Sequence, residues 1–213
     1  MESVIVLAHP GAPGTPGTGR AAEWAAHEAR LRGLPLRVRD EPAPDAAVTV
    51  GGPHAVPLAA TAPGPVVLIP DVPAATPLRT DVVLGVDARA PSDTALRFAF
   101  DSARLRGTRL RAVHAWTLPP EAARMPFGVP EEDRATWEDH EVQLLSDALR
   151  PWRAAYPDVP VLADVLLFTQ ADALLHHRAH AALIVVAGPP GQAVRALLWE
   201  AGCPVAVVPR HSG

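Results

Sequence analysis

The chain has 213 residues, of which 48% are hydrophobic, and 23 acidic residues outnumber 19 basic ones. This hydrophobic content is enough for a folded core, and the net charge of −4, without a block of like charges, disfavours a nucleic-acid-binding surface. The single cysteine, Cys203, excludes an intramolecular disulfide and a cysteine-based zinc cluster. Because the longest apolar runs have only the length of a strand, we expect a cytoplasmic protein without a membrane span.

The first 70 residues predict a small α/β unit. Apolar runs at residues 3–7, 47–51 and 64–70 are typical of buried parallel strands, and the string at 28–33 lies in a helix. The glycines of residues 11–19 alternate with prolines, and no Gly-Lys-Ser/Thr follows, which favours a flexible connector over a phosphate loop. We expect three strands here, too few for stability alone, so this unit should pack on the rest of the chain.

Residues 71–80 are rich in Pro and Ala and are interpreted as a linker. The domain prediction is therefore a unit of residues 1–70, a linker at 71–80, and a fuller unit of residues 81–213.

The second unit alternates strands and helices along its whole length. Strands are predicted at 82–86, 159–168, 183–188 and 205–208, together with a second strand that ends at His114. A long helix is predicted at 131–156 and shorter helices at 171–178 and 193–201. This alternation predicts a doubly wound, five-stranded parallel sheet with helices on both faces.

An internal repeat relates the two units. The string Ala-Arg-Leu-Arg-Gly occurs at residues 29–33 and 103–107, with an apolar run before and after each copy. Both units also end in the order strand, helix, strand. The first unit is thus interpreted as a smaller, degenerate copy that lacks the middle of the second.

Four segments of the second unit resemble the universal stress protein family: residues 82–87, residues 91–99, residues 113–116 and residues 196–208. The resemblance covers about residues 80–210 and is partial over 2–70. It implies a five-stranded parallel α/β fold, often dimeric or tandem, that binds an adenine nucleotide in some members. For this chain it implies a dimer contact, within one chain or between two, through residues 66–69 and 205–208.

The resemblance also implies where a nucleotide would bind. The candidate residues are Asp87, Ala88, Val113, Gly188, Gly191 and Gln192. Asp87 follows the first strand of the unit, at the sheet edge where open α/β proteins hold ligands, although it could equally serve as a turn or cap residue.

The phosphate-binding loop expected after the fourth strand is shortened. Here Gly188-Pro-Pro-Gly-Gln192 runs directly into the next helix, and the two prolines supply no N–H donors. We therefore predict no cofactor and weak or lost nucleotide binding, with ATP or AMP binding at a rearranged turn as the alternative.

Two further clusters were weighed as sites. His176 and His180 have the i, i+4 spacing of metal ligands but lack a third ligand, so a solvated helix end is favoured and no metal site is predicted. Ser92, His114 and Asp87 could suggest a hydrolase, but no Gly-x-Ser-x-Gly motif is present and Ser92 suits a helix cap. The favoured function is a non-catalytic stress-response or regulatory protein; the alternatives are an adenine-nucleotide sensor and a nucleotide hydrolase.

Overall fold

A computed structural model of the chain describes residues 2–7, 16–71, 80–120, 122 and 128–210, with the backbone alone at 16–18. Most of the predicted linker, residues 72–79, and residues 11–15 of the predicted connector lie outside the described residues.

The described part of the first unit contains four strands. Its elements are β1 (Ser3–Leu7), α1 (Pro16–Arg32), β2 (Leu36–Arg39), β3 (Ala46–Gly51), α2 (Val56–Ala59, after a 3₁₀ turn at Pro53–Ala55) and β4 (Val66–Leu68). The prediction of three strands was wrong, because β2 has alternating apolar and basic residues rather than a continuous apolar run. The connector prediction was also wrong for residues 16–19, where Pro16 opens α1, a position at which its missing N–H costs nothing.

The second unit has the five parallel strands and the helices that the sequence predicts. They are β5 (Asp81–Val86), α3 (Asp93–Arg106), β6 (Arg109–Ala115), α4 (Glu131–Ala155), β7 (Val161–Leu166), α5 (Gln170–His176), β8 (Ala181–Ala187), α6 (Gln192–Glu200) and β9 (Val205–Val208).

All of these strands form one nine-stranded sheet, in the order β2-β1-β3-β4-β9-β8-β5-β6-β7. Neighbouring strands are parallel except β4 and β9, which pair antiparallel with Val67 opposite Ala206. The last strands of the two units therefore pair within one chain, which is the intramolecular version of the predicted contact.

Helices cover both faces of the sheet, as expected for a doubly wound fold. One apolar core lies under α1, α3 and α4 and includes Leu84, Phe100 and Leu149. The other lies under α2, α5 and α6 and includes Ile184 and Leu197.

The two halves of the sheet share local details as well as strand order. The order β2-β1-β3-β4 repeats the order β6-β5-β8-β9, and the same register irregularity occurs after Ser3 in β1 and after Asp81 in β5. In the described residues, α4, β7 and α5 have no counterpart in the first half. As a result β2 is an edge strand, and Val38 is 67% exposed.

Helices α1 and α3 join the two halves on one face through a buried ion pair. The Glu28 carboxylate is fully buried and accepts hydrogen bonds from Arg32 Nε at 2.6 Å and from Arg106 Nη2. The contact is reciprocal, since Arg32 lies over the Phe98 ring at 5.3 Å and Arg106 lies over the Trp24 ring at 5.6 Å. The expectation that the first unit packs on the second is thus confirmed.

Candidate functional site

Asp87 lies at the carboxyl edge of the sheet, directly after β5. Its Oδ1 accepts hydrogen bonds from the backbone N–H groups of Arg89 at 3.2 Å and Ala90 at 3.3 Å, which is the pattern of a turn residue. Its Oδ2 lies 3.9 Å from Arg210 Nη2, just beyond the end of β9. Asp87 therefore stabilises the turn and also presents a carboxylate oxygen at the sheet edge.

A small cavity of about 220 Å³ opens beside this carboxylate. It is lined by Val86, Asp87, Val113, His114, Ala115, Gln170, Ala173, Leu174 and Arg210. We call it the Asp87 cavity. Its volume is below the roughly 300–1,000 Å³ of most small-molecule sites.

The structure brings together only some of the predicted site residues. Asp87 and Val113 line the Asp87 cavity, and the N–H of buried Ala88 lies 3.4 Å from His114 Nδ1. Gly188, Gly191 and Gln192 are not among the lining residues of this cavity.

Backbone groups of the turn after β8 are partly engaged in hydrogen bonds within the protein. The Gly188 N–H donates to the Val208 carbonyl at 2.8 Å, and Gly191 is the N-cap of α6, which begins at Gln192. Gly188 has a φ of +93°, and a Cβ there would lie 3.6 Å from Arg210 Nε. Arg210 is thus a cation that lies close to both this turn and Asp87.

The sequence analysis did not identify Arg210 as a residue of this site. Arg195 lines a different groove, together with Pro53 and Trp199. Arg210 is distant along the chain, but it follows β9, whose parallel neighbour β8 ends at the same sheet edge. A cation just after the last parallel strand was the signal that could have identified it.

A buried hydrogen-bonded chain connects this edge to α4. The His114 Nε2–H donates to Glu141 Oε2 at 2.9 Å, and His114 Nδ1 lies 3.0 Å from the Val86 carbonyl oxygen. The Glu141 carboxylate also accepts a bidentate pair from the half-exposed Arg89 guanidinium, with one bond of 2.6 Å. Burial alone would raise the pKa of Glu141, but the hydrogen bonds from Arg89 and His114 outweigh it and hold the pKa below its usual value.

The sequence analysis did not identify Glu141. The signal was present, because Glu141 occupies a core-facing position of α4 four residues before the buried Leu145. A carboxylate at such a position requires a partner.

Ser92 does not join His114 in a catalytic arrangement. Its hydroxyl accepts from the Ala95 N–H at 3.4 Å and lies 3.0 Å from Thr94 Oγ1, so the predicted helix cap is confirmed. His114 is instead occupied by Glu141 and by the end of β5.

A second, larger cavity of about 1,000 Å³ adjoins the Asp87 cavity on the side of α4. It is lined by Asp87, Arg89, His114, Ala115, Trp116, Thr117, Leu118, Pro119, Pro120, Thr136, Trp137, His140, Glu141, Phe168, Thr169 and Gln170. We call it the aromatic cavity.

The histidines at the end of α5 differ in exposure. His176 and His180 are exposed, whereas His177 is buried with its Nε2 3.4 Å from Asp164 Oδ2. Burial lowers the pKa of His177, and the nearby Asp164 carboxylate only partly offsets this. Within the described ranges, no group of three or more His, Cys, Asp or Glu side chains could hold a metal ion. Among the same residues no helix is both long enough and apolar enough to span a bilayer.

The fold and these cavities define an α/β protein of the doubly wound class, with ligand-sized space at the carboxyl ends of β5 and β6. A sequence model of the universal stress protein family matches residues 79–209, more than half of the chain. The chain therefore belongs to the universal stress protein family.

Similar proteins agree with this assignment. A universal stress protein of Mycobacterium tuberculosis (strain H37Rv) is 38% identical over 126 residues, which are 58% of this chain and 39% of the relative. One from Mycolicibacterium smegmatis is 37% identical over 129 residues, which are 59% of this chain and 41% of the relative. The chain thus matches about two fifths of the length of these relatives.

Two solved structures resemble the fold. A functionally unknown protein from Pseudomonas aeruginosa PAO1 aligns over 98% of this chain and 92% of its own, with a TM-score of 0.54 and 14% identity. A universal stress protein from Archaeoglobus fulgidus, in complex with dAMP, aligns over 62% of this chain and 99% of its own, with a TM-score of 0.44 and 24% identity. The first likeness extends the shared fold over both halves of the chain.

Proposed function

We propose that this protein is a non-catalytic, cytoplasmic stress-response or regulatory protein in which binding of nucleoside triphosphates is weak or lost. The observation that carries the proposal is the turn between β8 and α6. Phosphates bind to clustered backbone N–H groups at such turns. Pro189 and Pro190 have no N–H, and the Gly188 N–H already donates to Val208.

The charges at this edge of the sheet support the same conclusion. Arg210 lies beside the Asp87 carboxylate, and Arg89 is held by Glu141. Each of these two guanidinium groups already faces a carboxylate, so a triphosphate would have to compete with a protein partner for its counter-charge.

A second candidate function, an adenine-nucleotide sensor, is favoured by one observation. Asp87 and Arg210 line the same cavity, which could hold the sugar against a carboxylate and a single phosphate against a guanidinium. AMP needs fewer phosphate contacts than ATP and is the nucleotide that this arrangement would accept.

Residues 1–70 are proposed to be a degenerate copy of the unit at 81–213. The shared strand order and register irregularity support this, as does the pairing of β4 with β9, in which Val66 faces Val207 and Leu68 faces Val205. Such self-complementary pairing is typical of a two-fold interface. The chain would then be an intramolecular pseudo-dimer, and sedimentation as a monomer is expected, because β4 and β9 each have a strand on both sides.

Calorimetric titration with ATP, ADP and AMP, after removal of co-purified nucleotide, tests the function. We expect no ATP binding tighter than about 1 mM, which corresponds to about −4 kcal/mol. Asp87→Asn keeps the turn acceptor and removes the charge, and Asp87→Ala removes both. If a nucleotide binds with micromolar affinity and both variants abolish this binding, the proposal that nucleotide binding is lost is rejected and the sensor function is established. If ATP binds with micromolar affinity and neither variant changes this, both proposed functions of the site are contradicted.

A further inference from the structure

A groove lies between the last helices of the two halves. Helix α2 connects β3 to β4, and α6 occupies the equivalent place between β8 and β9. The groove has a volume of about 410 Å³. Its lining residues come from both helices, from the turn before α2 and from the chain after β4: Pro53, Val56, Pro57, Asp71, Arg195, Leu198 and Trp199. We call it the α2–α6 groove.

The groove is open because α2 is much shorter than its counterpart. Helix α2 has four residues and α6 has nine, so their lengths are about 6 Å and 14 Å. Val56 and Leu198 are partly buried against the core beneath the two helices, which gives the groove an apolar base. One helical turn cannot cover the length of α6, so this side of α6 stays open to solvent.

Trp199 is the most exposed large hydrophobic side chain among the described residues. It lies in the last turn of α6, lines the groove and is 84% exposed. An indole left in water forgoes the free energy of burying a large apolar surface. Trp is also among the residues most enriched at the energetic hot spots of protein interfaces. Trp199 therefore has the properties of an anchor for a partner.

The polar groups of the groove define the chemistry of that partner. The Asp71 and Arg195 side chains are both exposed, and neither forms an ion pair with another described residue. Trp199 and Arg195 can only donate hydrogen bonds, whereas the Asp71 carboxylate can only accept them. A polyproline II segment matches this set, because its carbonyls are not paired internally and its prolines have no N–H to satisfy. A basic residue of the segment would pair with Asp71.

Two other ways of binding a peptide fit this groove less well. A helix pairs its own carbonyls, so it would offer few main-chain acceptors to Trp199 and Arg195. An added strand needs a free sheet edge, and the strands that follow α2 and α6 each have a neighbour on both sides.

We propose that the α2–α6 groove docks a proline-rich segment of a partner protein in the polyproline II conformation, with a basic residue beside Asp71. Proline rings pack on Trp199 and on the apolar base, while the Trp199 Nε1–H and the Arg195 guanidinium donate to carbonyls of the segment. The proposal does not rest on the nucleotide question, because no residue of the groove lines the Asp87 cavity or the aromatic cavity.

Fluorine NMR of the full chain tests the proposal. The protein is labelled with 5-fluorotryptophan, and its five tryptophan resonances are assigned by single Trp→Phe variants. The probe is an oligoproline peptide, blocked at both ends, with one arginine at its C-terminal end. We expect a saturable shift of the Trp199 resonance. The four tryptophans that do not line the groove should keep constant resonances: Trp24, Trp116, Trp137 and Trp152.

Two variants separate the anchor from the charge, with fluorescence anisotropy of a labelled probe as the measurement. Trp199→Ala should weaken binding at least about tenfold, and its exposed position leaves the fold intact, which circular dichroism checks. Asp71→Asn should weaken binding about two- to fivefold, the effect of an exposed ion pair, and should not change binding of a probe in which glutamine replaces the arginine. Val38→Ala removes another exposed apolar side chain, on the edge strand β2, and should leave binding unchanged.

A peptide of glycine and serine with the same length and the same arginine is the control for conformation, because such a chain behaves as a random coil. The proposal is overturned if the oligoproline probe does not shift Trp199, if all five resonances move alike, or if a folded Trp199→Ala variant binds as tightly as the parent. It is also overturned if the glycine–serine peptide or an amphipathic helical peptide binds as tightly as the oligoproline. Unchanged affinity in Asp71→Asn would reject the basic residue. The calorimetric test of nucleotide binding is independent of all these results.

Discussion

Replacement of Glu28 by Gln tests how the two halves are held together. Glu28 is fully buried between α1 and α3 and is the shared partner of Arg32 and Arg106, whose side chains are only 13% and 11% exposed. Gln preserves size and one acceptor but leaves two buried guanidinium groups without a counter-charge. Burial already lowers the pKa of Arg106, an effect that the Glu28 carboxylate opposes.

The expected loss in the free energy of unfolding is about 3–5 kcal/mol, the usual cost of removing one partner of a buried ion pair. Arg106→Met should cost less, because Glu28 keeps its bond to Arg32. The triple variant Glu28→Leu/Arg32→Met/Arg106→Met should lose less stability than the sum of the losses of its single variants, since a buried ion-pair cluster can be replaced by apolar side chains at little cost.

Equilibrium unfolding in urea measures these effects, with tryptophan fluorescence and circular dichroism recorded in parallel. Trp24 lies against Arg106 and reports on this interface directly. Arg150→Ala, which removes an exposed pair with Asp147, is the control and should change stability by about 0–1 kcal/mol. A Glu28→Gln variant within 1 kcal/mol of the parent would refute the reasoning, because it would mean that the two arginines do not need the carboxylate.

Three further predictions concern pH and backbone strain. Because burial lowers the pKa of His177, the unfolded chain takes up a proton below about pH 6.5 that the folded chain does not. The stability should therefore fall as the pH drops below about 6.5. In the His177→Leu variant, the melting temperature measured between about pH 5 and 8 should depend less on pH. Glu141 is an acid rather than a base, but it also makes the protein less stable as the pH falls. Its lowered pKa contributes stability above about pH 4.5 that is lost at lower pH. Glu141→Gln should therefore lower the free energy of unfolding in urea at about pH 7 and make it depend less on pH in the acid range. Gly188→Ala forces a side chain onto a φ of +93° and should cost about 1–3 kcal/mol in denaturant unfolding. Gly191→Ala, where φ is −111° and nothing lies within 4 Å, should lose only the N-cap preference of Gly over Ala, about 0.5–1 kcal/mol; a larger loss for Gly191→Ala than for Gly188→Ala would contradict the strain argument.

The amino-acid sequence determined the strands and helices of the second unit, because continuous apolar runs and helical periodicity depend only on neighbouring residues. It also carried the repeat and the family resemblance. The pattern of apolar residues did not predict β2, where Arg37 and Arg39 alternate with apolar residues. An edge strand exposes its side chains, so it lacks the continuous apolar run of a buried strand.

The tertiary structure alone decided which side chains meet at the sheet edge. Asp87 could be placed there from sequence, because it directly follows a parallel strand. Arg210 and Glu141 reach this edge from β9 and α4. Local patterns mark each of them as a candidate, but which partner each one meets depends on how distant elements pack. The sequence was equally unable to show that the buried Trp116 N–H has no hydrogen-bond partner among the described residues, because whether a donor finds a partner depends on every group packed around it.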